Sequence, residues 1–271
     1  MNTMLATLLA APALALACTA PAADAPPAHE TFAIESHVLQ ESRRINVYRP
    51  PGYEAADARF AVLYMPDGGL EEDFPHVAAT VDAAIRAGAM RALLVVGIEN
   101  TERRRDMTGP TTIESDRAIA PRVGGSAPFR AFIADELMPE IARRYRTSGE
   151  AGIVGESLAG LFVLETLFER PALFDHYIAL SPSLWWNDGA LVKHAAARLR
   201  EWPAGMHTTL YVAHAGDDDV GGAGRTLEAI LRAHAPAGLR WQYQAWNELE
   251  HANIYRRASP DVFRKVFAPS P

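Results

Sequence analysis

The run Ala151-Gly152-Ile153-Val154-Gly155-Glu156-Ser157-Leu158-Ala159-Gly160 carries the sharpest structural signal in the chain. Ala151 to Val154 is short, apolar and uninterrupted, as a strand buried on both faces should be, and Leu158 to Glu169 resumes with helical periodicity. Ser157 therefore stands on a strand-to-helix turn between small neighbours. A serine there sits on a strained backbone with its hydroxyl exposed above the sheet, and the following helix aims N–H groups at any negative charge developing beside it. Ala159 replaces the second glycine of the common G-x-S-x-G pattern, although Gly160 follows; one methyl is a small intrusion. Ser157 is the candidate nucleophile.

On both sides, strand-like and helix-like segments alternate from Thr31 to the end, the pattern of an α/β fold with a mostly parallel central sheet and helices on both faces. Thr31 to Leu39 and Arg43 to Arg49 alternate apolar and polar residues and predict an antiparallel opening hairpin. Apolar runs at Phe60 to Met65, Ala92 to Ile98, Tyr177 to Leu180 and Thr208 to Ala213 predict buried strands, followed by a last strand over Trp241 to Ala245. Helical spacing covers Val77 to Ala87, Phe129 to Tyr145, Leu191 to Trp202, Gly224 to His234 and Asp261 to Phe267, the last capped by Ser259-Pro260. Glu99 to Pro128 is long for a loop in such a fold, which points to function or disorder. The connection from Leu180 to Asp188 is too short for a cap domain, so the site should be open to bulky substrates.

A serine hydroxyl needs a neighbouring base to become a useful nucleophile at neutral pH. His251 lies after the last strand and just ahead of the final helix, where the chain order serine, acid, histidine places the base. His176 and His214 lie at other strands and His194 and His234 within helices, where packed or solvated imidazoles are the simpler account. A carboxylate to orient the base belongs at the end of Thr208 to Ala213, and Asp217, Asp218 and Asp219 all follow that strand. Asp219 is favoured, its neighbours being placed to start the turn. Backbone donors for a developing oxyanion are expected from Leu158 and from Gly68 and Gly69, where glycine lets the backbone approach a substrate closely.

Composition narrows the alternatives. Hydrophobic residues make up 49% and charged residues 22% of 271, enough to bury one sizeable core. The formal charge of −7 offers no positive field for nucleic acid. Scattered histidines and a single cysteine predict no metal site and no internal disulfide. Residues 1–17 are Ala/Leu-rich and end Ala15-Leu16-Ala17, which reads as an export signal despite the lack of an early lysine or arginine. A periplasmic or secreted location follows. Cys18 comes next, at the position lipidated in bacterial lipoproteins, with Ala15 where those signals usually carry leucine; an ordinary secreted chain and a lipid anchor both fit. Residues 18–29 read as an Ala/Pro-rich tether and 30–271 as one domain, with no apolar run of bilayer length.

Taken together, Tyr64-Met65-Pro66-Asp67-Gly68, Val96-Gly97-Ile98-Glu99-Asn100, Gly155 to Gly160, Ser181-Pro182-Ser183-Leu184-Trp185-Trp186 and His251 resemble the esterase family that includes enterobactin and triacetylfusarinine C esterases and S-formylglutathione hydrolase. The likeness is strongest to the siderophore esterases, whose arginine, aspartate and Thr-Pro stretch is similar to Arg103 through Pro110, with Gly109 extra. The resemblance implies an α/β-hydrolase fold and ester hydrolysis without metal or organic cofactor, with Ser157 as nucleophile and His251 as base. Arg103, Arg105, Trp185 and Trp186 would flank the site, where guanidinium groups and flat aromatic walls suit an anionic or aromatic ester. A carbohydrate acetyl or feruloyl esterase and a non-catalytic surface binding protein are the alternative readings.

Overall fold

The predicted hairpin forms from β1 (His29–Ser36) and β2 (Glu41–Tyr48), antiparallel, with alternate side chains of β1 facing solvent. β3 (Phe60–Met65) and β4 (Leu93–Ile98) are buried along their whole length, because helices cover both faces of the sheet they enter. With β5 (Thr147–Glu156), β6 (His176–Leu180), β7 (Thr208–Ala215) and β8 (Leu239–Trp246) they complete an eight-stranded sheet in the order β1-β2-β4-β3-β5-β6-β7-β8. Pairing is parallel from β4 onward and antiparallel at β1–β2 and β2–β4. The computed structural model describes residues 26–54, 57–218 and 222–269. Residues 1–17, read above as an export signal, Cys18, most of the 18–29 stretch read as a tether, and Asp219 lie outside them.

One face packs against α1 (Phe74–Arg86) and α9 (His251–Val266) through Phe74, Val77, Val81, Ile254, Val262 and Phe263. The other carries α4 (Ser126–Phe132), α5 (Met138–Arg144), α6 (Leu158–Glu169), α7 (Trp186–Arg200) and α8 (Ala223–His234). α6 is buried almost all round, as a helix set between sheet and a further helix must be. Each fully buried Leu, Ile, Val or Phe adds roughly 1.5–3 kcal/mol. Among the described residues no helix is long and apolar enough to cross a membrane.

Three expected elements differ. The single helix over Phe129 to Tyr145 is α4 and α5 joined by a π-helical turn, Ile133–Leu137. Pro139 lacks an N–H and its ring crowds the preceding turn, so the ladder changes register there. The last helix begins at His251 rather than Asp261, because Glu250 and Asn253 form a capping box and the helix continues through Pro260. The long connection after β4 holds two short helices, α2 (Arg103–Asp106) and α3 (Glu114–Arg117).

β3 and β5 are neighbours at the point where strand order reverses, so a crevice opens beyond their carboxyl ends. The Asp67-Gly68-Gly69 turn follows one strand and Ser157 the other.

Candidate active site

Ser157 has φ 58° and ψ −120°, a left-handed backbone that a serine adopts only when its surroundings impose it. Those surroundings are specific. The Ser157 N–H donates to Leu180 O at 3.0 Å, and Ser157 O accepts from Leu161 and Ser183, each at 3.0 Å. A Cβ on Gly155 would lie 2.5 Å from the Ala159 carbonyl carbon and 2.7 Å from the Ala159 methyl, so the missing side chain at Gly155 makes room for alanine at 159. Gly155→Val is expected to force the turn open, since the obstacle is backbone. Soluble yield and ester turnover should both collapse, and a variant with parental turnover would refute this account of the bend.

Because the capping box starts α9 at His251, the imidazole is delivered at the first helical position, and its backbone N–H donates to Asp217 Oδ1 at 2.9 Å. His251 Nε2 lies 3.1 Å from Ser157 Oγ, and His251 Nδ1 lies 2.7 Å from Asp218 Oδ1. Among the described residues Asp218 is the aspartate on Nδ1 of the ring, and the favoured Asp219 lies outside them. Adjacent aspartates point in different directions around a turn, so Asp217 holds the helix start while Asp218 meets the imidazole. The Asp218 carboxylate raises the His251 pKa, against burial and with help from Glu156 and Asp217. Burial would raise Asp218, but contacts with His251 and Ser181 outweigh it and hold the carboxyl below its usual range.

Two further groups reach this constellation, and no spacing signal announced them. Ser183 Oγ is 3.3 Å from Ser157 Oγ. Glu156, the middle residue between Gly155 and Ser157, places Oε1 3.1 Å from His251 Nε2. Burial pushes the Glu156 carboxyl up to about 7, against the lowering charges of His251 and Arg103.

The expected oxyanion donors are only partly available. Leu158 begins α6, where an N–H has no partner within the helix. The Gly68 N–H instead donates to Ile98 O at 2.9 Å, and that of Gly69 to Glu72 Oε2 at 2.7 Å. Gly68 is glycine for packing, since a Cβ there would lie 2.1 Å from the Ile98 nitrogen.

The expected substrate arginines are committed within the chain. Arg103 grips Asp67 with Nε at 2.6 Å and Nη2 at 2.9 Å, and Asn100 Nδ2 donates to the same carboxylate at 2.6 Å. Arg105 is bound to Glu41 and Asp106. Asp67 and Glu41, remote in the chain, and the adjacent Asp106 satisfy them. Trp186 is likewise packed, its Nε1 donating to Gly109 O at 3.0 Å. Trp185 remains 53% exposed and, with Pro182, Leu184, Asp217, Ala223 and His251, lines a cleft of about 420 Å³.

Residues 36–243 match the model of a protein family described as Putative esterase. The chain belongs to that family. It is 33% identical over 174 residues to the ferri-bacillibactin esterase BesA of Bacillus subtilis, a match covering 56% of this chain and 58% of the relative. It is 40% identical over 100 residues to the siderophore triacetylfusarinine C esterase of Aspergillus fumigatus, covering 35% of this chain and 32% of the relative. Both matches span less than two thirds of the relatives' own length. An IroE-like serine hydrolase from Shewanella oneidensis superposes with a TM-score of 0.81 at 26% identity, over 89% of this chain and 80% of that one. The BES protein from Bacillus cereus shares the fold, with a TM-score of 0.77 at 22% identity over 89% and 96% of the two chains. The architecture is the α/β-hydrolase fold. The five residues between β6 and α7, Ser181 to Trp185, leave no place for a cap.

Proposed function

We propose that this protein is a serine esterase that cleaves carboxylic esters, of the siderophore type, by acyl transfer through Ser157. The observation that carries the reading is the His251 imidazole lying 3.1 Å from Ser157 Oγ at one nitrogen and 2.7 Å from Asp218 at the other. Ser157 Oγ attacks the ester carbonyl while His251 Nε2 takes its proton, and the imidazolium returns that proton to the departing alcohol. Water then attacks the acyl-enzyme, losing a proton to His251, and the acyl–Oγ bond breaks as His251 returns that proton to Ser157 Oγ, releasing the acid. Asp218 accepts from Nδ1, keeps the lone pair at Nε2 facing the nucleophile, and balances the charge of the imidazolium. The Leu158 N–H receives the developing oxyanion at the start of α6.

The relatives that act on ferri-bacillibactin and triacetylfusarinine C support a siderophore ester as substrate. Exposed Trp185 on an uncapped cleft gives such a bulky ester a flat surface to lie against. The Ala/Leu-rich segment 1–17 supports export, and Cys18 supplies a position for a lipid anchor.

The test compares initial rates of the purified mature chain on a ferric trilactone siderophore, p-nitrophenyl butyrate and acetylated or feruloylated xylan. The siderophore should give the highest kcat/KM. A preference for xylan would replace the substrate with a carbohydrate ester, and failure of a fluorophosphonate probe to label Ser157 would leave only a binding protein.

A further inference from the structure

Asp218 is not the only carboxylate on the imidazole. Glu156 is the last residue of β5, and its side chain is largely buried. The turn that carries Ser157 upward brings Glu156 Oε1 to 3.1 Å from His251 Nε2, the nitrogen that also lies 3.1 Å from Ser157 Oγ. The ring is bracketed, with Asp218 at Nδ1 and Glu156 at Nε2. Around Glu156 stand Arg103 of α2, itself held by Asp67, and the further negative charges of Asp67 and Asp73; Asp217 adds to the field on His251.

A carboxylate at Nε2 interacts differently with the two states of the base. In the resting enzyme Nε2 must offer a lone pair to the serine proton. An ionised carboxylate beside that lone pair gains little, and a protonated one would donate to it and compete with Ser157. Once Nε2 has taken the proton, the ring is positive and its N–H lies beside an anion. An interaction that strengthens only as the imidazolium forms lowers the barrier to acyl transfer.

We propose that Glu156 is a positioning residue that acts through His251, stabilising the imidazolium at Nε2 while Asp218 does so at Nδ1. The inference rests on Ser157 and His251 being the nucleophile and base. Burial pushes the Glu156 carboxyl up to about 7, while Asp218 first, helped by Glu156 and Asp217, raises the His251 pKa, so the two groups titrate as a coupled pair. Activity requires both to have lost their exchangeable protons.

The test is Glu156→Gln, nearly isosteric and uncharged, assayed on p-nitrophenyl butyrate from pH 5 to 9. The value of kcat should fall by about ten- to a hundred-fold with KM little changed. The acid limb of kcat/KM should move to lower pH, because an imidazole without the neighbouring anion loses its proton more readily. Glu156→Asp, which keeps the charge, should recover part of kcat and return the limb toward its parental position. An NMR titration of His251 in the Ser157→Ala background, with and without Glu156→Gln, reads the same shift without turnover and applies even where the single variant is poorly active. Parental kcat and an unmoved limb, or an unshifted His251 titration, would overturn the proposal. Loss of kcat with an unmoved limb would overturn it too, as a packing effect. Failure of the underlying esterase reading looks different: the parent would resist fluorophosphonate, or Ser157→Ala would keep its activity.

Discussion

Ser157→Ala should abolish ester turnover, lowering kcat by at least about 10⁴-fold, while the protein stays folded. The size of the effect follows from the division of labour at the site. In the proposed mechanism Asp218, Glu156 and the Leu158 N–H all act on charge that appears only as Ser157 Oγ attacks, so without the hydroxyl there is no acyl-enzyme for them to help form. Effects within such a unit are not additive, and removing His251 as well should cost little more. The fold is spared because the elbow is held through the backbone of residue 157: its N–H to Leu180 O and its carbonyl to the N–H groups of Leu161 and Ser183. Alanine preserves all three. The measurements are initial rates on p-nitrophenyl butyrate, labelling by a fluorophosphonate and the thermal melting curve. Equal rates for variant and parent would end the nucleophile reading, and a melting curve far below the parent's would show that the side chain, not only the backbone, holds the bend.

The second large effect lies away from the chemistry. Asp106→Ala is expected to destabilise the fold by about 3–5 kcal/mol, a large share of what a single domain usually has. Arg43 of β2 is fully buried and is ion-paired with Asp106, also buried, and with Glu41. Asp106 is further held by Arg105 Nε at 2.6 Å. Truncating Asp106 leaves the buried guanidinium with the partly exposed carboxylate of Glu41 and the Glu99 carbonyl at 3.5 Å, and removes its buried counter-charge. Two charges closing on each other offset much of the cost of leaving water, and one alone does not. The loss should therefore be largely repaired in Arg43→Met with Asp106→Leu, which removes both charges and keeps volume. Urea unfolding of parent, single and double variants decides it. A midpoint for Asp106→Ala equal to the parent's would show that the pair contributes nothing. The pair also bears on function, since Asp106 ends α2, and α2 presents Arg103 to Asp67 beside the catalytic turn.

The arginines show how far chain-level reading extends. Arg103, Arg104 and Arg105 form a basic run, and basic runs at an open site suggest an anionic ligand. Besides the adjacent Asp106, their partners are Asp67, from the turn after β3, and Glu41, from β2, and nothing in the spacing of the chain says that these two meet the arginines. Trp185 and Trp186 divide for the same reason, one facing the cleft and the other bonded to Gly109 O. Glu156 was invisible in a different way: within G-x-S-x-A the second position carries no rule, and only the path of α9 brings His251 over it.

What the amino-acid order determined by itself was the alternation of buried strands and amphipathic helices, the bend at Ser157 and the position of His251 after the last strand. These depend on periodicity, small residues and chain order, all of which are local. The tertiary structure alone decided that Asp218 meets the imidazole at Nδ1, which arginines are already paired, which glycine N–H groups are taken and that a second carboxylate stands at Nε2. Most of those depend on groups tens of residues apart approaching within about 3 Å, a hydrogen-bonding distance that pairing of the strands and seating of α9 create.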